Sequence, residues 1–168
     1  MAPAFDLPGT DGFSHSLDSL SRGKATVIVF TCNHCPYAKA WEDRILDIGL
    51  EYTGRGVRTA AISANNAIEH PDDSFDEMKA RSEVKNYSIP YLYDESQAVA
   101  RAYGAERTPE VFLFDSDRNL RYHGLVDDNQ DGPKVENHYL RDAIEALLAG
   151  RDPKVTDTEA IGCTIKWK

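Results

Sequence analysis

The chain lacks any long hydrophobic run. Although 41% of its 168 residues are hydrophobic, no stretch approaches the roughly 18 consecutive apolar residues of a membrane helix. The first six residues are neither basic nor strongly apolar, so no secretory signal is visible. We therefore expect no membrane partner and a cytoplasmic location.

Positive charge is also scarce. The chain has 19 lysine and arginine residues against 28 aspartate and glutamate residues, and its net charge is −9. Nucleic-acid binding needs a basic face that can neutralise phosphates. Lys166 and Lys168 near the end of the chain are too few to provide one. We therefore expect no nucleic-acid partner.

Cysteine is rare, and the chain has no second Cys/His pair of the kind that structural zinc sites use. The three cysteines are an odd number, which argues against a disulfide framework. A zinc site would need Cys163 to meet His70, His123 or His138 through the fold alone. No nucleophile elbow and no phosphate-binding glycine loop is present. We therefore expect no metal and no cofactor.

What the chain does have is a Cys-x-x-Cys motif between an apolar strand and a helix. Residues 25–31 are mostly β-branched and apolar, and 36–53 have a helical pattern that begins at Pro36. The free N–H groups and the dipole of a helix start stabilise an anion. A Cys32 thiolate placed there would have a lowered pKa, which predicts thiol–disulfide chemistry through Cys32 and Cys35.

The remaining pattern alternates strands and helices and predicts one domain over 1–168. Within it we expect three additions to a central βαβ order: an N-terminal hairpin, a helical insertion and an extended tail. The helix of the insertion is predicted at roughly 73–86, with Asp72 or Asp73 as its N-terminal cap. The three additions cover residues 1–24, 66–88 and 151–168.

A strand, a Cys-x-x-Cys, a helix, and then a Thr-Pro before a hairpin and a closing helix resemble the thioredoxin superfamily. The resemblance is closest to its peroxiredoxin-like bacterial branch, of the AhpC/TSA or redoxin type. It implies an α/β thioredoxin fold, a central mixed β-sheet flanked by helices. The residues that carry the resemblance are Phe5-Asp6-Leu7-Pro8, Cys32-Asn33-His34-Cys35-Pro36-Tyr37, Pro90-Tyr91-Leu92-Tyr93-Asp94-Glu95, Thr108-Pro109-Glu110-Val111-Phe112-Leu113-Phe114-Asp115 and Ile161-Gly162-Cys163-Thr164-Ile165-Lys166-Trp167.

The Thr108-Pro109 step is where the resemblance implies a substrate-binding edge. The matching proline of thioredoxin-like proteins is cis, and its loop faces the active-site cysteines. The backbone of Thr108 would then pair with an extended substrate beside Cys32. The proline would also keep a metal away from the cysteines.

The mechanism that we expect is dithiol–disulfide exchange. Cys32 attacks a disulfide, and Cys35 resolves the mixed disulfide. A cationic His34 would stabilise the thiolate and raise the reduction potential. Thr31, Asn33 and Pro36 complete the predicted active-site segment. The expected partners are a protein or small-molecule disulfide substrate and a thiol/disulfide electron donor or acceptor.

Two other functions stay open. The first is a thiol peroxidase, although the Pro-x-x-x-Thr/Ser-x-x-Cys pattern of peroxiredoxins is missing at both cysteines and only Arg107 offers a nearby guanidinium. The second is a redox-inert binding scaffold. Cys163 is either a third redox centre or a small buried residue.

Overall fold

The computed structural model describes residues 1–168. Its strands are β1 (Asp6–Pro8), β2 (Ser14–Ser16), β3 (Ala25–Thr31), β4 (Val57–Ser63), β5 (Tyr91–Tyr93), β6 (Arg107–Thr108), β7 (Glu110–Asp115), β8 (Leu120–Gly124) and β9 (Cys163–Thr164). Its α-helices are α1 (Leu17–Leu20), α2 (Pro36–Thr53), α3 (Phe75–Val84), α4 (Ala98–Tyr103) and α5 (Tyr139–Leu148). Short 3-10 helices lie at Pro71–Asp73 and Gly132–Lys134.

The central sheet has five strands in the order β5-β4-β3-β7-β8. Strand β4 runs parallel to both of its neighbours, whereas β7 runs antiparallel to β3 and β8. The sheet is therefore mixed, and its central strand β3 is buried along its whole length. The carboxyl end of β3 leads directly into the Cys-x-x-Cys segment.

Both faces of this sheet are covered by helices, because successive side chains of a strand point to opposite sides. Val27 and Val29 face one core, which also takes its apolar residues from α2, α3 and α5. Ile28 and Phe30 face the other core, which includes residues of α1 and α4. The predicted α/β architecture with helices on both faces of a mixed sheet is confirmed.

Residues 17–20 form the short helix α1, which is capped by Ser16. One local prediction, the N-terminal cap of the insertion helix, needs correction. The insertion helix begins at Phe75, and its N-terminal cap is Ser74 rather than Asp72 or Asp73. A serine hydroxyl already accepts the N–H of Glu77 there. Asp73 is therefore free to point elsewhere, and it is fully buried.

The C-terminal tail is extended, as predicted, but it does not lie free on the surface. Its strand β9 pairs antiparallel with β6, the two residues that precede Pro109. Ile165 is buried in the second core, and the backbone N–H of Lys166 donates to Asn65 Oδ1 at 2.9 Å. The tail thus reaches the same end of the sheet as the Cys-x-x-Cys segment. No helix of the structure combines the length and the apolar character needed to cross a membrane.

Candidate active site

The two cysteines of the motif lie on either side of a short irregular segment. Thr31 is the last residue of β3 and pairs with Ser63 of β4. Helix α2 spans Pro36–Thr53 as predicted, and Cys35 is its N-cap residue. Cys32 lies three residues earlier, before the helix. The helix terminus therefore belongs to Cys35, and the expectation of Cys32 at the helix start is wrong.

Asn33 fixes the shape of this segment through its hydrogen bonds. Its backbone N–H donates to Asp73 Oδ1 at 2.8 Å, and its side-chain amide donates to the carbonyl of Asp72 at 2.9 Å. Its side-chain oxygen accepts the hydroxyl of Tyr91 at 2.7 Å. The insertion and the central sheet thus hold the turn between the cysteines from two sides.

His34 contacts a buried carboxylate. Its Nδ1 lies 2.5 Å from Asp73 Oδ2, and its ring stacks on the ring of His70 at a centroid distance of 5.7 Å. The same Oδ2 atom accepts the side-chain N–H of Asn65 at 2.8 Å. The expected cation beside the thiols therefore has an anion next to it, which offsets its effect on the cysteines.

The Thr108-Pro109 loop faces the cysteines, and its peptide bond is cis. The Thr108 hydroxyl lies 3.6 Å from Cys32 Sγ, and Cys35 Sγ donates to the Thr108 carbonyl at 3.7 Å. Glu110 holds the loop in place, because its Oε1 accepts the backbone N–H groups of Glu106 and Arg107, each at 2.9 Å.

The third cysteine joins this group. Cys163 packs against the cluster that Cys32, Cys35 and Ala38 form. Its backbone carbonyl accepts the Thr108 hydroxyl at 3.3 Å. Cys32 is only 3% exposed and Cys35 is fully buried, whereas Cys163 beside them is partly exposed. The edge of Thr108 that was expected to bind a substrate is already paired with β9.

Charge is distributed unevenly over the two cysteines of the motif. The pKa of Cys32 is raised by its hydrogen bond with Cys35, by burial and by the nearby Asp73 carboxylate. The pKa of Cys35 is lowered to about 4, because the Cys32 thiol donates to its sulfur, with smaller contributions from Cys163 and the Ala38 backbone. This differs from the low pKa expected for Cys32. The physical reason is the hydrogen bond between the two sulfurs, which stabilises a charge on Cys35 and the proton on Cys32.

A set of possible metal ligands also meets here. The donor atoms of Cys32, His34 and Asp73 all lie within 4.8 Å of one another. A cysteine, an imidazole and a carboxylate are a donor set that Zn²⁺ accepts. However, both oxygens of Asp73 already accept hydrogen bonds from Asn33 and Asn65. His123, which was considered as a ligand for Cys163, instead lies between Glu110 and Asp157.

Two residues of the site were missed by sequence reasoning. Asp73 looked like a helix cap, since an aspartate after a proline is typical of one. Glu110 was predicted only as part of a strand motif, although it is 3% exposed and shapes the loop beside the cysteines.

Arg107, considered for a peroxide site, donates to the carbonyl of Gly162 in the tail at 3.3 Å.

Comparison with known proteins finds a family and several similar structures. The model of the AhpC/TSA family matches residues 1–123. An uncharacterized conserved protein from Geobacillus kaustophilus is 40% identical, with a TM-score of 0.94 over 99% of this chain and 90% of that chain. A hypothetical protein from Sinorhizobium meliloti 1021 is 36% identical, with a TM-score of 0.94 over 99% of this chain and 92% of that chain.

A more distant structure shares the fold. The peroxidoxin BcpB from Mycobacterium tuberculosis is 20% identical, with a TM-score of 0.65 over 88% of this chain and 91% of that chain. At this identity the likeness concerns the thioredoxin fold alone. A search of curated proteins finds no match.

Proposed function

The chain belongs to the AhpC/TSA family, and on this premise we propose that it is a thiol–disulfide oxidoreductase that works by dithiol–disulfide exchange through Cys32 and Cys35. Support comes from one observation above all. Both sulfurs lie in a closed pocket at the end of β3, within 3.7 Å of Thr108 in the loop before the cis proline.

The first step needs a thiolate at Cys32. When the pair loses one proton, the remaining proton can lie on either sulfur, and placing it on Cys35 leaves the charge on Cys32. The Thr108 hydroxyl, 3.6 Å away, can then turn its proton from the Cys163 carbonyl to this thiolate, while the Cys35 thiol donates to the Thr108 carbonyl. The family membership supports a redox function, and these contacts support the separate roles of Cys32 and Cys35.

The thiol–disulfide exchange then transfers two electrons from the protein to the substrate. Cys32 attacks one sulfur of the substrate disulfide, and the other sulfur leaves as a thiolate that takes up a proton. Cys35 loses its proton and attacks Cys32 Sγ, which expels the second substrate thiolate. The substrate gains two electrons, and the protein is left with a Cys32–Cys35 disulfide. A thiol donor reverses this by the same two steps.

The test is the redox equilibrium of the purified protein against graded glutathione or dithiothreitol, with thiol trapping and peptide mass mapping. We expect a reversible Cys32–Cys35 disulfide. A reduction potential of about −270 mV would indicate a reductant, and one of about −180 to −120 mV would indicate an oxidant or isomerase. In Cys35→Ser, a mixed disulfide should accumulate on Cys32, whereas Cys32→Ser should lose turnover. If wild-type protein forms no such disulfide under oxidising poise, the proposal is wrong.

The family match also favours a second candidate, a thiol peroxidase that reduces hydroperoxides. The groups beside Cys32 do not support it well, since the Arg107 guanidinium bonds the tail and an acidic side chain lies near the sulfur. Hydrogen peroxide consumption in dithiothreitol, compared between wild type and Cys32→Ser, separates the two. A protein inactive in both assays that still captures a partner would be a binding scaffold.

A further inference from the structure

The C-terminal strand occupies the edge that a substrate would use. In β9, Cys163 is the direct antiparallel partner of Thr108. The Thr108 hydroxyl donates to the Cys163 carbonyl at 3.3 Å, and the backbone N–H of Ile165 donates to the Glu106 carbonyl at 2.9 Å. An extended strand of this chain thus stands where an extended substrate strand would add to the loop.

This strand is anchored on both sides of Cys163. Beyond it, Ile165 is 3% exposed, and the carbonyl of Lys166 accepts the side-chain N–H of Gln97 at 2.9 Å. Before it, the backbone of Gly162 lies so close to Thr108 that an added Cβ would meet the Thr108 carbonyl oxygen at 2.1 Å. Cys163 is therefore held at one place, and a glycine is required for that approach.

The place where Cys163 is held is beside the thiols of the motif. It packs against Cys32, Cys35 and Ala38, and its backbone carbonyl accepts the Thr108 hydroxyl, which lies 3.6 Å from Cys32 Sγ. All three cysteines of the chain meet here, although Cys35 and Cys163 lie 128 positions apart in the sequence. If Cys163 were only a small residue of the core, a thiol would not be required beside Cys32 and Cys35.

We propose that Cys163 is a third redox-active cysteine, an internal substrate of the Cys32–Cys35 disulfide. Its thiolate attacks Cys35 Sγ, the Cys35–Cys163 bond forms, and Cys32 leaves as a thiolate. The proton lost by Cys163 is taken up by Cys32 or by water, and no net electrons are transferred. The chain remains oxidised by two electrons, Cys32 is again a free thiol, and the tail is covalently closed over the Thr108 edge. This step rests on the proposed function, which supplies the first disulfide.

The surroundings of Cys163 change in favour of this step when the motif is oxidised. The pKa of Cys163 is raised to about 11 by burial, by its hydrogen bond with Cys35 and by the charge of that neighbour. A Cys35 sulfur in a disulfide carries no charge, so the contribution of its charge disappears. Lys166 and Arg107 act in the opposite direction and lower the pKa of Cys163.

Cys32→Ser tests the proposal, because it leaves Cys35 and Cys163 as the only thiols of the full chain. We expect this variant to form an intramolecular Cys35–Cys163 disulfide in oxidised dithiothreitol, so that alkylatable thiols fall from two to none and the mass falls by two hydrogens. The reference is the ratio of oxidised to reduced dithiothreitol that fully oxidises the Cys32–Cys35 pair of the wild type. If both thiols of the variant stay alkylatable at this ratio, Cys163 has no redox role, and the proposed function still stands. A wild type without a Cys32–Cys35 disulfide would instead remove the proposed function.

Two further variants test the position of the tail. Cys35→Ser leaves Cys32 with Cys163, and we expect at least tenfold slower disulfide formation than in Cys32→Ser, since Cys163 is placed against Cys35. Equal rates in the two variants would refute a specific Cys35–Cys163 pair. Cys32→Ser combined with Gly162→Ala keeps both thiols but pushes β9 away from Thr108. An unchanged rate in this variant would show that the strand does not position Cys163.

Discussion

Replacing Asp73 with asparagine should make Cys32 a stronger acid. Asp73 is fully buried, and its negative charge is one of the causes that raise the pKa of Cys32. Asparagine keeps the shape of the side chain and can still accept the backbone N–H of Asn33, but its NH₂ group loses the hydrogen bond from Asn65. The substitution therefore removes the charge at the cost of one hydrogen bond.

The size of the effect follows from the distance. The donor atoms of Cys32 and Asp73 lie within 4.8 Å of one another. Two unit charges at that separation interact by about 3.5 kcal/mol at an effective dielectric of about 20, and by about 0.9 kcal/mol at that of water. These energies correspond to a fall of about 2.5 and about 0.6 in pKa. We expect a fall between these two limits.

The assay is the rate of iodoacetamide alkylation against pH. Cys35→Ser and Cys163→Ser in the parent leave Cys32 as the sole thiol, and Asp73→Asn is added to that background. Asp72→Asn is the matched control, because its side chain is exposed at the neighbouring position. Thermal unfolding of each variant checks that the fold is kept. A profile for Asp73→Asn that coincides with its parent, or moves to higher pH, would refute the reasoning.

Two predictions concern the stability of the fold. Hydrogen bonding to Glu110 raises the pKa of His123 to about 8 from 6.5, so its stabilisation is complete below pH 6.5 and is lost as the pH rises through 8. Urea unfolding should show a loss of at most about 2 kcal/mol over that range, and His123→Gln should remove this pH dependence; an unchanged slope contradicts it. A Cβ at Gly49 would lie 2.2 Å from Ile89 Cγ2, whereas one at Gly54 would meet nothing within 4 Å. Gly49→Ala should therefore cost about 1–3 kcal/mol, and Gly54→Ala should stay near neutral; equal urea midpoints would contradict this.

The local elements around the motif could be predicted because their signals are local. The apolar run 25–31 has the length and β-branched content of a buried strand, and Pro36 marks a first helical turn. Helix α2 spans Pro36–Thr53 as expected. The strand, the Cys-x-x-Cys motif and the helix are contiguous in the sequence. Thiol–disulfide chemistry could therefore be predicted from this segment alone.

The charges around the thiols could not be predicted in the same way, because they come from distant residues. Asp73 reaches Asn33 across 40 positions. Its sequence neighbourhood is that of a helix cap, and Ser74 takes that role instead. Whether a carboxylate caps a helix or turns into a pocket depends on which neighbour satisfies the helix N–H groups first. Periodicity and spacing do not contain that information.

On the proposed function, the tail would also limit which substrates can reach Cys32. A peptide that pairs with Thr108 must first displace β9, which breaks the hydrogen bonds of Thr108 to Cys163 and of Ile165 to Glu106 and exposes Ile165. Two net hydrogen bonds at about 1 kcal/mol each and about 1.5–3 kcal/mol for an isoleucine side chain give a cost of roughly 3–5 kcal/mol. Since about 1.4 kcal/mol is a factor of ten, the apparent affinity for an extended peptide falls by about 10² to 10⁴. A small disulfide that does not pair with Thr108 avoids that cost. The docked tail therefore selects against extended peptides unless they displace it, and a disulfide between Cys35 and Cys163 would make that selection complete.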